Sequence, residues 1–209
     1  MSELRKIIFV PGFVRNPESV KLIEQRVAEI QPVFQDNGWE IVLSKYYDGK
    51  PSVDPISKYA KIVAEEIEEI QPDAIIAHSM GTLIVRGSWK YYKDFRGPIV
   101  FIEGPNMGVA WWKLLITGFP LWRVCVRDMM PRSPFMKSLE NIWAWPPHQN
   151  FVLEIQGKFS RHPLAGNVFE PLFYSRIILF FPEVGHRELV TDSRTIKSVL
   201  ELIKSYPFD

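Results

Sequence analysis

Apolar and polar positions along the chain alternate between two periods, and that alternation predicts an α/β fold. Lys6 to Val10 is a short β-rich run ending at Pro11-Gly12-Phe13. From about Pro17 to Gln35 apolar residues recur at Val20, Ile23, Val27 and Ile30, the spacing of one helix face. Gly38 ends that helix, and Trp39 to Tyr46 reads as the next strand. A second amphipathic helix is expected from about Asp54 to Ile70, with Ile56, Tyr59, Ala60, Val63 and Ile67 facing inward and Glu65, Glu66, Glu68 and Glu69 forming a solvated face. Pro72 stops it. The apolar run through Ala74 to Ala77 reads as a buried strand, and an apolar-periodic segment follows at once as a helix. Ile99 to Ile102, Phe151 to Ile155 and Ile177 to Phe181 are further strands, and Ser193 to Lys204 is a closing amphipathic helix capped by Asp192 or Ser193. Strands alternating with helices imply a mainly parallel sheet covered by helices on both faces and joined by right-handed crossovers.

Residues 107–147 break the pattern. Prolines and most of the tryptophans concentrate there, and the segment is expected to be a helical cap or lid inserted in a single domain spanning 1–209. Trp111, Trp112, Leu114, Leu115, Ile116, Phe119, Leu121 and Trp122 are too dense in large apolar groups for an isolated surface helix. They either complete the core or form an exposed apolar patch, and Trp111, Trp112 and Leu115 are the candidates for contact with substrate. Transient contact of this cap with a lipid surface is a further expectation. Val109 to Val126 is interrupted by Lys113, Gly118, Pro120 and Arg123, so it does not read as the roughly 20-residue apolar span a bilayer requires.

Composition narrows the function. The chain has 209 residues and a formal net charge of +1, so no basic surface points to nucleic acid, and a small neutral substrate is the default expectation. Cys125 is the single cysteine, which excludes an internal disulfide and a thiolate zinc cluster. No His or carboxylate cluster has ligand spacing, so neither a metal nor another cofactor is expected. The N-terminal Met1-Ser2-Glu3-Leu4-Arg5-Lys6 lacks the apolar core of a signal peptide, and a cytoplasmic location is expected.

The chemistry centres on Ala77-His78-Ser79-Met80-Gly81. A serine at the apex of a tight strand-to-helix turn holds its hydroxyl clear of the backbone, and small neighbours let strand and helix approach. The next residue opens the helix, so the Met80 N–H points at whatever sits beside the hydroxyl and is a candidate oxyanion donor. A serine that merely caps a helix is the plain alternative. The five residues resemble the nucleophile elbow of the α/β-hydrolase superfamily, in its small lipase and carboxylesterase branch, with Ala77 where that family usually has glycine. Pro11-Gly12 matches the loop after the first strand of such enzymes, and the resemblance implies a second oxyanion N–H on Phe13. Val126 to Leu139 resembles a segment that follows the cap in bacterial lipase-like hydrolases, with Ser133 capping a short helix and Pro134 in its first turn. His186, after the last strand in a Gly-His-x-x-Leu setting, matches the catalytic histidine. His78 is expected to brace the elbow, and His148 and His162 read as loop residues.

The same resemblance places an aspartate in the loop after the penultimate strand, near Gly157 to Pro163, where this sequence has Lys158, Ser160, Arg161 and His162 but no acid. Because the orienting group need only accept the imidazole N–H, Glu103 at the end of Ile99 to Ile102 is a candidate third member. Glu154, Glu170 and Asp128 are others, and a Ser–His pair without an acid stays open. Glu103 could instead pair with an arginine such as Arg15. The expected activity is that of a serine hydrolase cleaving carboxylic esters with an apolar acyl or alcohol group through an acyl-enzyme. Acyl transfer or thioester hydrolysis on the same residues is one rival; a hydrolase-fold binding module for a lipid or protein is another.

Overall fold

In a computed structural model, residues 4–116, 118–140, 152–157 and 177–207 are described. Six strands, β1 (Arg5–Val10), β2 (Trp39–Leu43), β3 (Ala74–His78), β4 (Ile99–Ile102), β5 (Val152–Gly157) and β6 (Ile177–Phe181), form one sheet in the order β2-β1-β3-β4-β5-β6. Every pairing is parallel, with registers such as Phe9 opposite Ile76 and His78 opposite Ile102. Parallel strands need crossover connections, and those connections cover both faces. The middle residues of β1, β3 and β4 are accordingly apolar, with Ile7, Ile8, Ile75 and Ala77 fully buried.

α1 (Pro17–Gln35) and α7 (Ser193–Ser205) pack on one face, where Val27, Ile30 and Phe34 meet Val199, Leu202 and Ile203 over Phe9, Ile76 and Ile102. α2 (Ile56–Ile70) and α3 (Met80–Ser88) pack on the other, where Ile56, Val63 and Ile67 meet Leu83 and Ile84 over Ile8, Ile75 and Phe101. Each large side chain buried in this way contributes roughly 1.5–3 kcal/mol before the entropy of ordering is set against it. Local signals fix the helix ends. Asn16 caps α1 by accepting from Ser19 N at 3.0 Å, with Pro17 in the first turn, and Asp192 rather than Ser193 caps α7.

Between β4 and β5 lie α4 (Trp111–Ile116), α5 (Val124–Asp128) and α6 (Pro134–Glu140). Ser133 caps α6 through a 3.1 Å bond from Met136 N, as expected from Ser-Pro-Phe. Cys125 is buried and donates to the Ser52 carbonyl, and burial pushes its thiol up to about 12.

Two local readings need correction. β2 ends at Leu43, not Tyr46; Ser44 N bonds Phe9 O, the chain turns, and Tyr46 and Tyr47 become buried. Glu66 does not belong to a solvated face: it is half-buried and accepts from Ser44 Oγ and Lys45 N. A neighbouring loop supplied partners that helical periodicity could not reveal.

Candidate active site

The strand order reverses beside β1. The connection from β1 leads outward to β2, whereas β3 lies on the other side of β1, so the loops leaving the carboxyl ends of β1 and β3 diverge and open a crevice. Ser79 follows β3 with φ 55° and ψ −125°, a left-handed region costly for a residue with a β-carbon. Packing holds it there. Ser79 N bonds Ile102 O at 2.9 Å, and α3 starts hard against the end of β1: a β-carbon on Gly81 would lie 2.2 Å from Val10 O. The Pro11-Gly12 turn closes over the serine from the other side, where a β-carbon on Gly12 would lie 2.7 Å from Ser79 Cβ. Two small residues therefore bring three backbone segments to one hydroxyl.

Among the described residues, neither Phe13 N–H nor Met80 N–H donates to a backbone carbonyl outside regular helix or strand, and Met80 occupies the first turn of α3, whose N–H groups have no intrahelical partner. Tyr46, buried beneath the turn, donates its hydroxyl toward Gly12 O at 2.6 Å and Pro11 O at 3.2 Å. Desolvation keeps this phenol well above its usual pKa, so it remains a donor.

His186 follows β6 in a loop whose next turn is anchored by buried Leu189 and Val190. Its Nδ1 lies 2.7 Å from Glu103 Oε2, and the other carboxylate oxygen of Glu103 accepts from Gly157 N at 3.2 Å. Glu103 is fully buried, with φ 46° at the end of β4, whereas the His186 side chain keeps 25% of its exposure. A carboxylate at Nδ1 takes that nitrogen's proton as a hydrogen bond and leaves Nε2 as the basic atom. Arg15 is not the partner of Glu103; its Nη2 donates to Gly118 O at 2.9 Å.

The other acids are engaged elsewhere. Asp128 caps α2 by accepting from Ile56 N at 2.8 Å, and buried Glu154 accepts from Asn106 Nδ2 at 2.5 Å. Glu154 projects to the opposite face of the sheet from Ile155 because successive strand residues alternate. The loop expected to carry the aspartate lies beyond Gly157, outside the described residues, as do Glu170, His148 and His162.

His78 braces the histidine loop rather than the elbow alone. Its Nε2 donates to the His186 carbonyl at 2.9 Å, and its ring lies tilted by 36° against the His186 ring with centroids 4.6 Å apart. Burial, with the adjacent His186, holds His78 well below its usual pKa, so it stays neutral. Arg26 of α1 donates to the next carbonyl, that of Arg187.

Ser79, His78, His186, Gly12 and Phe13 line one cavity of about 190 Å³, with Phe9, Leu22, Ile23, Phe119, Pro120 and Val190 as apolar walls. Trp111, Trp112 and Leu115 are not among its lining residues. They lie on α4, exposed at 59%, 39% and 53%, because that short helix turns only Leu114 into the core. The segment reaches the cavity through Gly118 and through Phe119, whose ring stands 5.1 Å from that of Phe13. Sequence reasoning missed Tyr46, Arg26 and Arg187. The first had no signal, whereas Ser19, Leu22, Ile23 and Arg26 follow the spacing of one helix face and mark the side of α1 turned to the cavity. No group of three or more His, Cys, Asp or Glu capable of holding a metal occurs among the described residues. Nor is any described helix long and apolar enough to cross a membrane.

No family model matches the sequence, and no curated protein matches it significantly. Solved structures do. A lipase of Bacillus licheniformis in its mature form superposes with a TM-score of 0.66 at 13% identity, over 97% of this chain and 93% of that one. An α/β hydrolase enzyme from the metagenome of lagoon sediments of Mar Chica, Morocco, gives 0.66 at 13% identity, over 99% and 94%. Polyneuridine aldehyde esterase gives 0.54 at 14% identity, over 97% and 100%. With its six parallel strands, its strand order and these neighbours, the chain has the α/β-hydrolase fold.

Proposed function

We propose that the protein is a serine hydrolase that cleaves carboxylic esters through an acyl-enzyme. The observation that carries this reading is the 2.7 Å contact of His186 Nδ1 with the buried Glu103 carboxylate on the wall of the cavity that also holds Ser79. Ser79 Oγ attacks the ester carbonyl while His186 Nε2 accepts its proton. The tetrahedral oxyanion accepts hydrogen bonds from Phe13 N–H and Met80 N–H. His186 then protonates the departing alkoxide, the ester bond breaks, and the acyl group remains on Ser79. His186 Nε2 then takes a proton from water as its oxygen attacks the acyl carbonyl; the acyl–Oγ bond breaks, the carboxylic acid leaves, and His186 returns the proton to Ser79 Oγ. Glu103 accepts a hydrogen bond from Nδ1–H and so orients the imidazole.

Phe9, Leu22, Ile23, Phe119 and Val190 give the cavity walls suited to an apolar acyl or alcohol portion. Residues 107–147 act as its cap, a role supported by Gly118, Phe119 and Pro120 in the lining and by the Arg15 bond to Gly118 O. Similarity to a lipase and to an esterase supports an ester substrate.

Labelling the purified protein with a fluorophosphonate, which forms an adduct with an activated serine without needing the natural substrate, tests the reading. Stoichiometric adduct on Ser79, located by mass spectrometry and lost in Ser79→Ala and His186→Ala, is expected. No adduct, with or without mild detergent, overturns the mechanism.

A further inference from the structure

Three arginines surround the same cavity, Arg15 and Arg187 exposed at its rim and Arg26 half-buried on α1, and among the described residues its lining contains no aspartate or glutamate. The chain as a whole carries only +1, so this concentration of positive charge is a property of the site and not of a basic protein. Among the described residues none of the three forms a carboxylate ion pair within 4.0 Å; the pairs that do form involve Arg96, Arg194, His186 and lysines elsewhere. Arg15 and Arg26 are tied to the backbone carbonyls of Gly118 and Arg187, each bond using one of the five N–H donors of a guanidinium. Those bonds hold the two groups in place without pairing either with a carboxylate at close range.

Burial lowers the Arg26 pKa below its usual value, with Glu188 and Glu29 opposing that at longer range and Arg187 adding to it. Glu103, the carboxylate beneath the site among the described residues, is already occupied by His186 Nδ1 and Gly157 N. Apolar walls next to a rim of one sign focus the field on whatever enters.

We propose that this cavity takes esters carrying an anionic group, a carboxylate or a phosphate, held by Arg15, Arg26 and Arg187 while the ester carbonyl lies at Ser79. The inference rests on the hydrolase reading and amends the expectation of a small neutral substrate, which came from the net charge of the whole chain and not from the local charge of the cavity. An amphiphilic ester satisfies both parts of the lining: its methylene chain lies against Phe9, Leu22 and Ile23, and its anion replaces solvent at the guanidinium groups, where planar donors match carboxylate and phosphate oxygens.

Monomethyl adipate and methyl hexanoate, which differ in a terminal carboxylate at nearly equal length, provide the test, with hydrolysis followed by pH-stat. A preference in kcat/KM for the anionic ester on the order of tenfold is expected at low ionic strength, shrinking as salt is added. Arg26→Gln and Arg187→Gln each lower the ratio of anionic to neutral kcat/KM several-fold, whereas Lys61→Gln on α2 leaves the ratio alone. Should Arg26→Gln fail to fold because its tie to the histidine loop is lost, Arg187→Gln carries the test, since that exposed side chain makes no hydrogen bond among the described residues.

Calorimetric titration of Ser79→Ala with adipate and with inorganic phosphate reads the same site without turnover and shows which anion it prefers. Equal or better use of methyl hexanoate at low salt, together with no arginine-dependent binding of either anion, overturns the proposal. Fluorophosphonate labelling of Ser79 without anion preference defeats this inference alone. Arginine-dependent anion binding without labelling defeats the hydrolase reading and leaves the anion site standing.

Discussion

Substituting Gly12 by alanine tests the whole construction of the site with one methyl group. The added carbon would lie 2.7 Å from Ser79 Cβ, 3.2 Å from Ser79 Oγ and 3.3 Å from His78 O. Carbon atoms pack at about 3.5–4.0 Å, so the turn and the serine must separate by at least about 0.8 Å. Neither side yields easily: Tyr46 holds Pro11 O and Gly12 O from below, and Ser79 N is bonded to Ile102 O. The displacement falls on the distance between the nucleophile and the Phe13 N–H. A misplacement of about 1 Å at a reacting centre costs on the order of 10²-fold, and loss of one oxyanion donor about 10²–10³-fold, so kcat is expected to fall within that range. Overpacking costs about 1–3 kcal/mol, and Tm should drop by about 2–10 °C. Steady-state kinetics on a short-chain ester, paired with a thermal melt, separates the two effects: kcat falls far more than KM rises, and the protein remains folded at the assay temperature. A folded Gly12→Ala variant with kcat close to wild type would refute the placement of the Pro11-Gly12-Phe13 turn over Ser79.

Three further outcomes are expected. Glu103→Gln preserves the shape and an acceptor for Gly157 N but no longer selects the Nδ1–H tautomer of His186, so kcat falls roughly 10²–10⁴-fold with the melting temperature little changed; a wild-type rate would assign the orienting role elsewhere. Tyr46→Phe leaves two buried carbonyls without their donor, lowers stability by about 1–3 kcal/mol in urea denaturation, and slows fluorophosphonate labelling of Ser79 by loosening the turn. His78 has a folded-state pKa below its unfolded value, so the unfolded chain binds the proton first. Its contribution is present above about pH 6.5 and is lost as pH falls through the folded pKa. Stability measured from pH 7 downward should therefore decline less steeply in His78→Gln than in wild type, and an unchanged slope would show that His78 does not titrate on unfolding.

Much of the architecture was legible in the chain because it depends on local periodicity. Apolar spacing placed α1 within its observed bounds, Pro72 and Gly38 marked helix ends, and continuous apolar runs at Ala74 to Ala77 and Ile99 to Ile102 indicated strands buried on both faces. Ser79 was legible for the same reason: an elbow needs a strand, a serine between small residues and a helix in immediate succession, and all of these lie within one short stretch.

Contacts between distant segments were not legible, because nothing in local spacing records them. That Glu103 rather than Asp128 or Glu154 meets His186 depends on where β4 ends relative to the loop after β6, some 83 residues later in sequence. Tyr46 became a support for the first loop because β2 stopped early. Arg15, Arg26 and Arg187 come from a loop, a helix face and the end of another loop, and only the reversal of strand order beside β1 draws them to one cavity. The tryptophans of α4 show the converse. Their density suggested a substrate wall, but the orientation of a six-residue helix, set by where Leu114 finds the core, points Trp111 and Trp112 outward. Sequence thus determined the elements and the strand–serine–helix turn, which local chemistry encodes; tertiary structure decided which carboxylate meets His186, what supports the turn and which charged groups line the cavity, all of which arise from packing between segments that carry no mark of one another.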